Sequence, residues 1–245
     1  MTVQLKQDFA ASVRRQLDRY AVWQPGEPFA LGDYGVLRDK TLHKLGNIRT
    51  FGVTFSTIRG AETHYQFASQ GTSVIGADAN ASLEPFGMGA PIRASLELRF
   101  SEDHGIFIRA ERSRVSEIGE LRQVALRLRG SGQWDFGWKL VTELRDVNPG
   151  TIIMGSSAGS SLRIEGASDL LEQFNIGALK AGATIAFTGE AALQVVGIVG
   201  PLFVDLCYLP RFFGGDIHHA AASVDELSEE PYVRLSANLR VEDDQ

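Results

Sequence analysis

The sequence predicts an α+β fold, a single domain with a twisted, mostly antiparallel β-sheet flanked by a few helices. Three observations predict it. Residues 92–101 alternate without a break, with Ile92, Ala94, Leu96, Leu98 and Phe100 on one side and Arg93, Ser95, Glu97, Arg99 and Ser101 on the other. That is the period-two signature of a half-buried strand. The chain carries 26 glycines against eight prolines, which favours turns and strand interruptions over long helices. The regular strand–helix alternation of a parallel sheet is missing. With 245 residues, 44% of them hydrophobic, the chain has enough apolar mass for a substantial core.

Residues 3–21 are predicted to form a helix, because Leu5, Phe9, Val13, Leu17 and Tyr20 share one stripe while Arg14, Arg15, Asp18 and Arg19 lie off it. WQPGEP (23–28) ends it. YGVLRD (34–39) and NIRTFGVTFSTI (47–58) read as short strands rich in β-branched or aromatic residues. THYQFASQGTSVIGA (63–77) reads as one extended stretch, uncharged from His64 to Ala77. IRASLELRF (92–100), the turn SEDHG (101–105) and IFIRAER (106–112) are expected to pair as an antiparallel hairpin. SEIGELRQVALRLRG (116–130) is expected to be a second helix, capped by Ser116 and ended by Gly130, with Ile118, Leu121, Val124, Ala125 and Leu128 on one face.

GWKLVTELRDV (137–147) reads as a strand that runs into a turn at Asn148-Pro149-Gly150, and TIIMGSS (151–157) and SSLRIEGA (160–167) follow as extended pieces. SDLLEQFNIGAL (168–179) fits helix and strand equally. ATIAFTGE (183–190), LQVVGIV (193–199) and LFVDLCYL (202–209) read as strands, with Pro201 as a break. EEPYVRLSANLRV (229–241) is a closing strand or a short tail.

Charge divides the chain into a body, residues 1–215, and an acidic tail, residues 216–245. The tail holds eight acids and two arginines and so accounts for the whole net charge of −6. No concentrated basic face of a nucleic-acid binder is evident. The single cysteine, Cys207, excludes an internal disulfide framework and a thiolate zinc site. The first residues lack the apolar core of a signal peptide. No stretch is apolar enough for a helical bilayer span of roughly 20 residues. A soluble, cytoplasmic protein is the expectation.

One motif invites chemistry. Gly155-Ser156-Ser157-Ala158-Gly159 fits G-x-S-x-G, the pattern of a nucleophile elbow, in which a serine sits at a sharp strand-to-helix turn. Ser157 could be completed in chain order by Asp205 or Asp216 and then His218 or His219. GSSAGSS is also similar to the serine turn of peptidase E-like and cyanophycinase-like enzymes. The helix that an elbow needs is not predicted, since SSLRIEGA reads as strand. The five histidines show no metal-ligand spacing, and no P-loop or dinucleotide fingerprint occurs. The expectation is a non-enzyme without metal or cofactor, with Ser157, Asp216 and His218 as the minor catalytic alternative.

The order of elements resembles the pore-forming domain of gasdermins, including the compact bacterial ones. The resemblance rests on the early helix, the long uncharged segment, the middle helix, GWKLVTELRDVNPGTIIMGSSAGSSLRI (137–164) and ALKAGATIAFTGEAALQVVGI (178–198). It implies a soluble form held by an inhibitory C-terminal segment, here the tail after RFFGGD. Cleavage by a protease would then release a homo-oligomeric, membrane-permeabilising assembly, with a role in bacterial defence. It implies contact with anionic lipid through Arg14, Arg15 and Arg19, and with the membrane through Ile92, Leu96, Leu98, Phe100, Ile106 and Ile108. Bilayer-spanning strands need one apolar and one polar row, which these segments offer. The chain departs from the bacterial pattern in having no N-terminal cysteine to carry a lipid. The alternative is a β-rich binding or assembly protein, also homo-oligomeric, without a membrane role.

Overall fold

The computed structural model describes residues 3–77, 93–167, 184–188, 191–210, 212–213, 227–228 and 233–235. In chain order the elements begin with α1 (Val3–Leu17), β1 (Tyr20–Ala21), β2 (Asp33–Arg38), β3 (Thr41–Asn47), a 3₁₀ turn (Ile48–Phe51) and β4 (Thr57–Arg59). Next come β5 (Thr63–Ala68), β6 (Thr72–Ala77), β7 (Arg93–Phe100), β8 (Ile106–Ile118), α2 (Leu121–Gly130) and β9 (Lys139–Gly155). The last are β10 (Ser161–Ala167), β11 (Thr184–Thr188), β12 (Ala191–Tyr208), β13 (Phe212–Phe213), β14 (Leu227–Ser228) and β15 (Val233–Arg234). The fold is α+β and mostly antiparallel, as the sequence predicts; β13 and β14 pair in parallel. The ambiguous segment 168–179 lies outside the described residues.

The chain divides into two compact units, the first made of Met1–Ser12, Glu62–Ser113 and Val147–Val199, the second of Val13–Ala61, Arg114–Asp146 and Gly200–Gln245. The first unit contains a four-stranded antiparallel sheet in the order β11-β10-β7-β6. It consists of two hairpin-like pairs, β6 with β7 and β10 with β11, set side by side through β7 and β10. The expected hairpin between residues 92–100 and 106–112 is not what forms. Both edges of β7 are taken by β6 and β10, while β8 pairs β4, β5 and β9. The stretch 63–77 likewise divides, with β5 on β8 and β6 on β7.

In the second unit α2 starts later than predicted. Strand β8 carries on through Ile118, so Ser116 pairs Arg59 across strands instead of capping a helix. Glu120, with φ +57, makes the turn, and Leu121, Val124, Ala125 and Leu128 then face the core. Residues 47–58 are not one strand: Ile48–Phe51 is a 3₁₀ turn closed by Gly52 at φ +73, and only Thr57–Arg59 is extended. β3 was not predicted. It returns from β2 through Asp39 and Lys40, both at positive φ (49 and 57), the pairing of left-handed residues found in two-residue hairpin turns. The core here includes Tyr34, which stacks on Trp138 at 4.6 Å between centroids and lies 5.8 Å from Trp134.

Two predicted breaks are not breaks. β9 runs through Asn148-Pro149-Gly150 as one strand of 17 residues. Proline offers no N–H to a ladder, and there the Arg112 guanidinium donates to the Asn148 carbonyl at 3.2 Å. β12 runs through Pro201, whose carbonyl accepts from the Gly26 N–H at 3.2 Å, a bond that asks no donor of the proline. Helix α1 buries Phe9 and Val13 as predicted, with Ala10 beside them, but stops at Leu17, because Asp18 turns to φ +53 and Tyr20 joins β12.

Candidate functional site

The four-stranded sheet is the feature with a functional shape, and its register sorts it into two faces. One row places Val74, Leu98, Leu162 and Phe187 side by side, and the next places Gly76, Leu96, Ile164 and Ile185. Because successive residues alternate in direction, the rows between belong to the other face. These read Ser73, Arg99, Ser161 and Thr188, then Ile75, Glu97, Arg163 and Ala186. By register one face is thus apolar and the other polar and charged, with Ile75 and the small Ala186 as its apolar members.

Part of the apolar face is covered in this form, at β7 and β10, while Val74 at the β6 edge is 38% exposed. Leu98, Phe100 and Leu162 are buried in one cluster with Phe107 of β8 and Ile153 of β9. On the charged face the Arg99 Nε donates to Glu97 Oε1 at 2.7 Å and its Nη2 to Oε2 at 3.2 Å. The Arg99 hydrogen bond holds the Glu97 carboxyl below its ordinary value, against a smaller opposing effect of burial, and the charges of Arg99 and Arg163 add to the lowering. On an open surface such a pair adds little stability. Its consequence is a solvated, polar face.

Three turns connect this sheet to the neighbouring strands of the same unit: residues 69–71 between β5 and β6, 101–105 between β7 and β8, and 156–160 between β9 and β10. Each has a residue in the left-handed region, Gly71 at φ +75, His104 at φ +55 and Gly159 at φ +83. Hydrogen bonds tie them together. The Ser69 hydroxyl accepts from the Ile106 N–H at 2.9 Å, the Ser101 N–H and hydroxyl donate to the Gly71 carbonyl at 2.8 and 2.9 Å, and the Ala158 N–H donates to the Asp103 carboxylate at 2.7 Å.

The predicted site residues fall as follows. Leu98 and Phe100 lie on the covered apolar face, Ile106 and Ile108 are buried in β8, and Leu96 takes its register place in β7. Ile92, Asp216 and His218 lie outside the described residues. Arg14 pairs Asp18 at 3.0 Å and stands 4.2 Å from the Tyr20 ring centroid. Arg19 bridges Glu143, at 2.9 Å, and Asp205. Arg15 is exposed. Sequence reasoning read the strands of residues 160–167 and 183–190 but did not join them; Leu162, Ile164, Ile185 and Phe187 enter the site only through pairing across a long gap in sequence.

Ser157 is exposed on the turn between β9 and β10, where its carbonyl accepts from the Ser160 hydroxyl at 2.7 Å. The chain continues as strand through Ala167, so the strand-to-helix corner of an elbow does not form. Cys207 is buried, and burial pushes its thiol up to about 12 against the pull of Arg234 and Lys139. Among the described residues no cluster of His, Cys, Asp and Glu is placed to hold a metal ion, and no helix is long and apolar enough to cross a membrane.

No family model matches the chain, and no curated protein matches it. Among solved structures, a bacterial gasdermin from Bradyrhizobium tropiciagri aligns over 94% of this chain and 90% of its own, with 11% identity and a TM-score of 0.37, a distant likeness of fold.

Proposed function

We propose that the protein is a gasdermin-like membrane-permeabilising protein, held soluble by its acidic C-terminal tail and activated by proteolytic removal of that tail. The observation that carries this reading is the two-faced sheet of two strand pairs, one face apolar across all four strands and the other polar. A membrane-spanning β-sheet needs that segregation, lipid on one side and water on the other. Strands crossing a bilayer run to about 9–11 residues. β7 has eight and β10 seven, and the sequence beyond them, residues 78–92 and 168–183, is long enough to extend both pairs.

Four strands cannot enclose a water-filled lumen, since aqueous channels appear in barrels of about 16 strands. Each protomer would therefore act in a homo-oligomer of roughly four copies or more. The reading assigns the soluble form to the cytoplasm and the activated form to an anionic membrane. It calls for no catalysis and no cofactor.

The test is dye release from vesicles of phosphatidylcholine and phosphatidylglycerol. The full chain carries an inserted protease site between residues 214 and 225 and is compared before and after cleavage. Release only after cleavage is the expected result. No release from either form overturns the reading in favour of the second one, an assembly protein without a membrane role. That second reading is favoured by β6 and β11, the outer strands of the sheet, which among the described residues have a strand partner on one side only.

A further inference from the structure

Two observations concern the same strand. The first is a mismatch of register across the turns. On one side Ala68 faces Phe107, and on the other Thr72 faces Phe100. Three residues, 69–71, lie between these pairs on the first strand and six, 101–106, on the second, an excess of three. The neighbouring ladder shows no such mismatch. Gly155 bonds Gly105 at 3.0 Å and Phe100 bonds Ser160 at 2.9 Å, with four residues between these pairs on either strand. β7–β8 and β9–β10 are in step through the turns, whereas β5–β6 is not.

The second is the pattern of β6 itself. Against β7 it places Val74 in the Leu98 row and Ile75 in the Glu97 row, so the apolar Ile75 stands with the charges, 41% exposed, while Val74 is 38% exposed at the edge. The sequence prefers the opposite assignment. Positions 75, 77, 79, 81 and 83 are Ile, Ala, Ala, Ala and Leu, and positions 76, 78, 80, 82 and 84 are Gly, Asp, Asn, Ser and Glu. A pair lengthened in the present register would carry Asp78, Asn80 and Ser82 onto the face of Leu96 and Ala94.

Both observations are resolved by one movement. Carrying the β5–β8 ladder straight through the turns shifts β6 by three residues along β7. An odd shift moves every side chain to the other face. Ile75 would then face Phe100, and Ala77 would face Leu98. We infer that β6 enters the membrane three residues out of its soluble register, and that the acyl-chain contact of this pair is made by Ile75 and Ala77 in line with Phe100 and Leu98, with Val74 turned to water. The inference rests on the membrane reading above and specifies which residues of that site meet lipid. The soluble register then keeps the inserting face of β6 from forming until the turns open.

The test uses the cleavable full chain with a single added cysteine, Val74→Cys or Ile75→Cys, each labelled with an environment-sensitive nitrobenzoxadiazole dye. Native Cys207 stays, because its buried thiol does not compete for the label. On cleavage with phosphatidylcholine–phosphatidylglycerol vesicles, the dye at position 75 is expected to brighten and shift to the blue, while the dye at 74 stays in water. A shift at 74 alone, or an equal shift at both, overturns the slip and leaves the membrane reading standing. A shift at neither overturns both.

A second measurement does not depend on the dye. The pair Ser73→Cys with Arg99→Cys spans directly opposed residues of the soluble register. Its oxidised form is expected to release no contents, with release restored on reduction. Full release from the oxidised form overturns the slip.

Discussion

At the scale of single residues the structure separates groups that stabilise from groups that strain. Asp146, partly buried in the middle of β9 beside the buried Val147, has its carboxyl raised above the ordinary value of 3.8 by burial, with Arg114 only partly offsetting this. A raised carboxyl means that the folded form holds its proton more tightly than the unfolded chain. The folded state therefore loses stability as pH rises from 3.8 through the raised value, and the loss persists at neutral pH. Asp146→Asn is expected to raise the midpoint of thermal unfolding at pH 7 by about a degree or two. The gain should vanish below about pH 3.8, where the native carboxyl is already protonated. Melting curves of both proteins at the two pH values check it. None of this was legible in the sequence, where Asp146 is one acid among thirty and its burial depends on strands far away in the chain.

At the scale of elements, alternation was legible and partnership was not. Residues 92–100 form β7 because their pattern is local. Whether β7 lies against β8 or against β6 and β10 depends on turns whose bonds join residues 69, 101 and 158, which no local window contains. The same limit hid the continuity of β9 through Pro149 and placed the start of α2 at Ser116 when β8 still needed that residue. Gly71 shows how tightly the turns are built. It sits at φ +75, and a Cβ there would lie 2.7 Å from the Ser101 Oγ and 2.8 Å from the Glu102 Cγ. Gly71→Ala is expected to cost more than about 1 kcal/mol, from the left-handed backbone and the crowding together. Chemical denaturation would register this as a lower midpoint at unchanged slope.

At the scale of the whole molecule, composition was a reliable guide to class, and the residues it singled out were a partial guide to the site. The mostly antiparallel α+β fold follows from alternation and glycine content. Of the apolar row predicted from residues 92–100, Leu98 and Phe100 lie on the covered face, while Arg14 and Arg19, picked for lipid contact, are engaged in ion pairs within the protein. The charge division carries its own prediction. With residues 216–245 removed, the remaining body has 22 acids and 22 bases, so its attraction to anionic vesicles would come from local patches and not from net charge. Such short-range attraction is screened over about 10 Å at 0.1 M salt. Sedimentation of the cleaved protein with phosphatidylglycerol vesicles is expected to fall as salt rises from about 0.05 to 0.5 M. Salt-independent sedimentation would point to apolar insertion as the dominant hold.

The three tryptophans, Trp23, Trp134 and Trp138, all belong to the second unit, two of them packed around Tyr34. Tryptophan emission therefore comes from the second unit, and the four-stranded sheet, which holds no tryptophan, is dark to it. Amide circular dichroism sees both units, so a change in it that tryptophan emission does not share reports on the first unit, which holds the sheet, without any label.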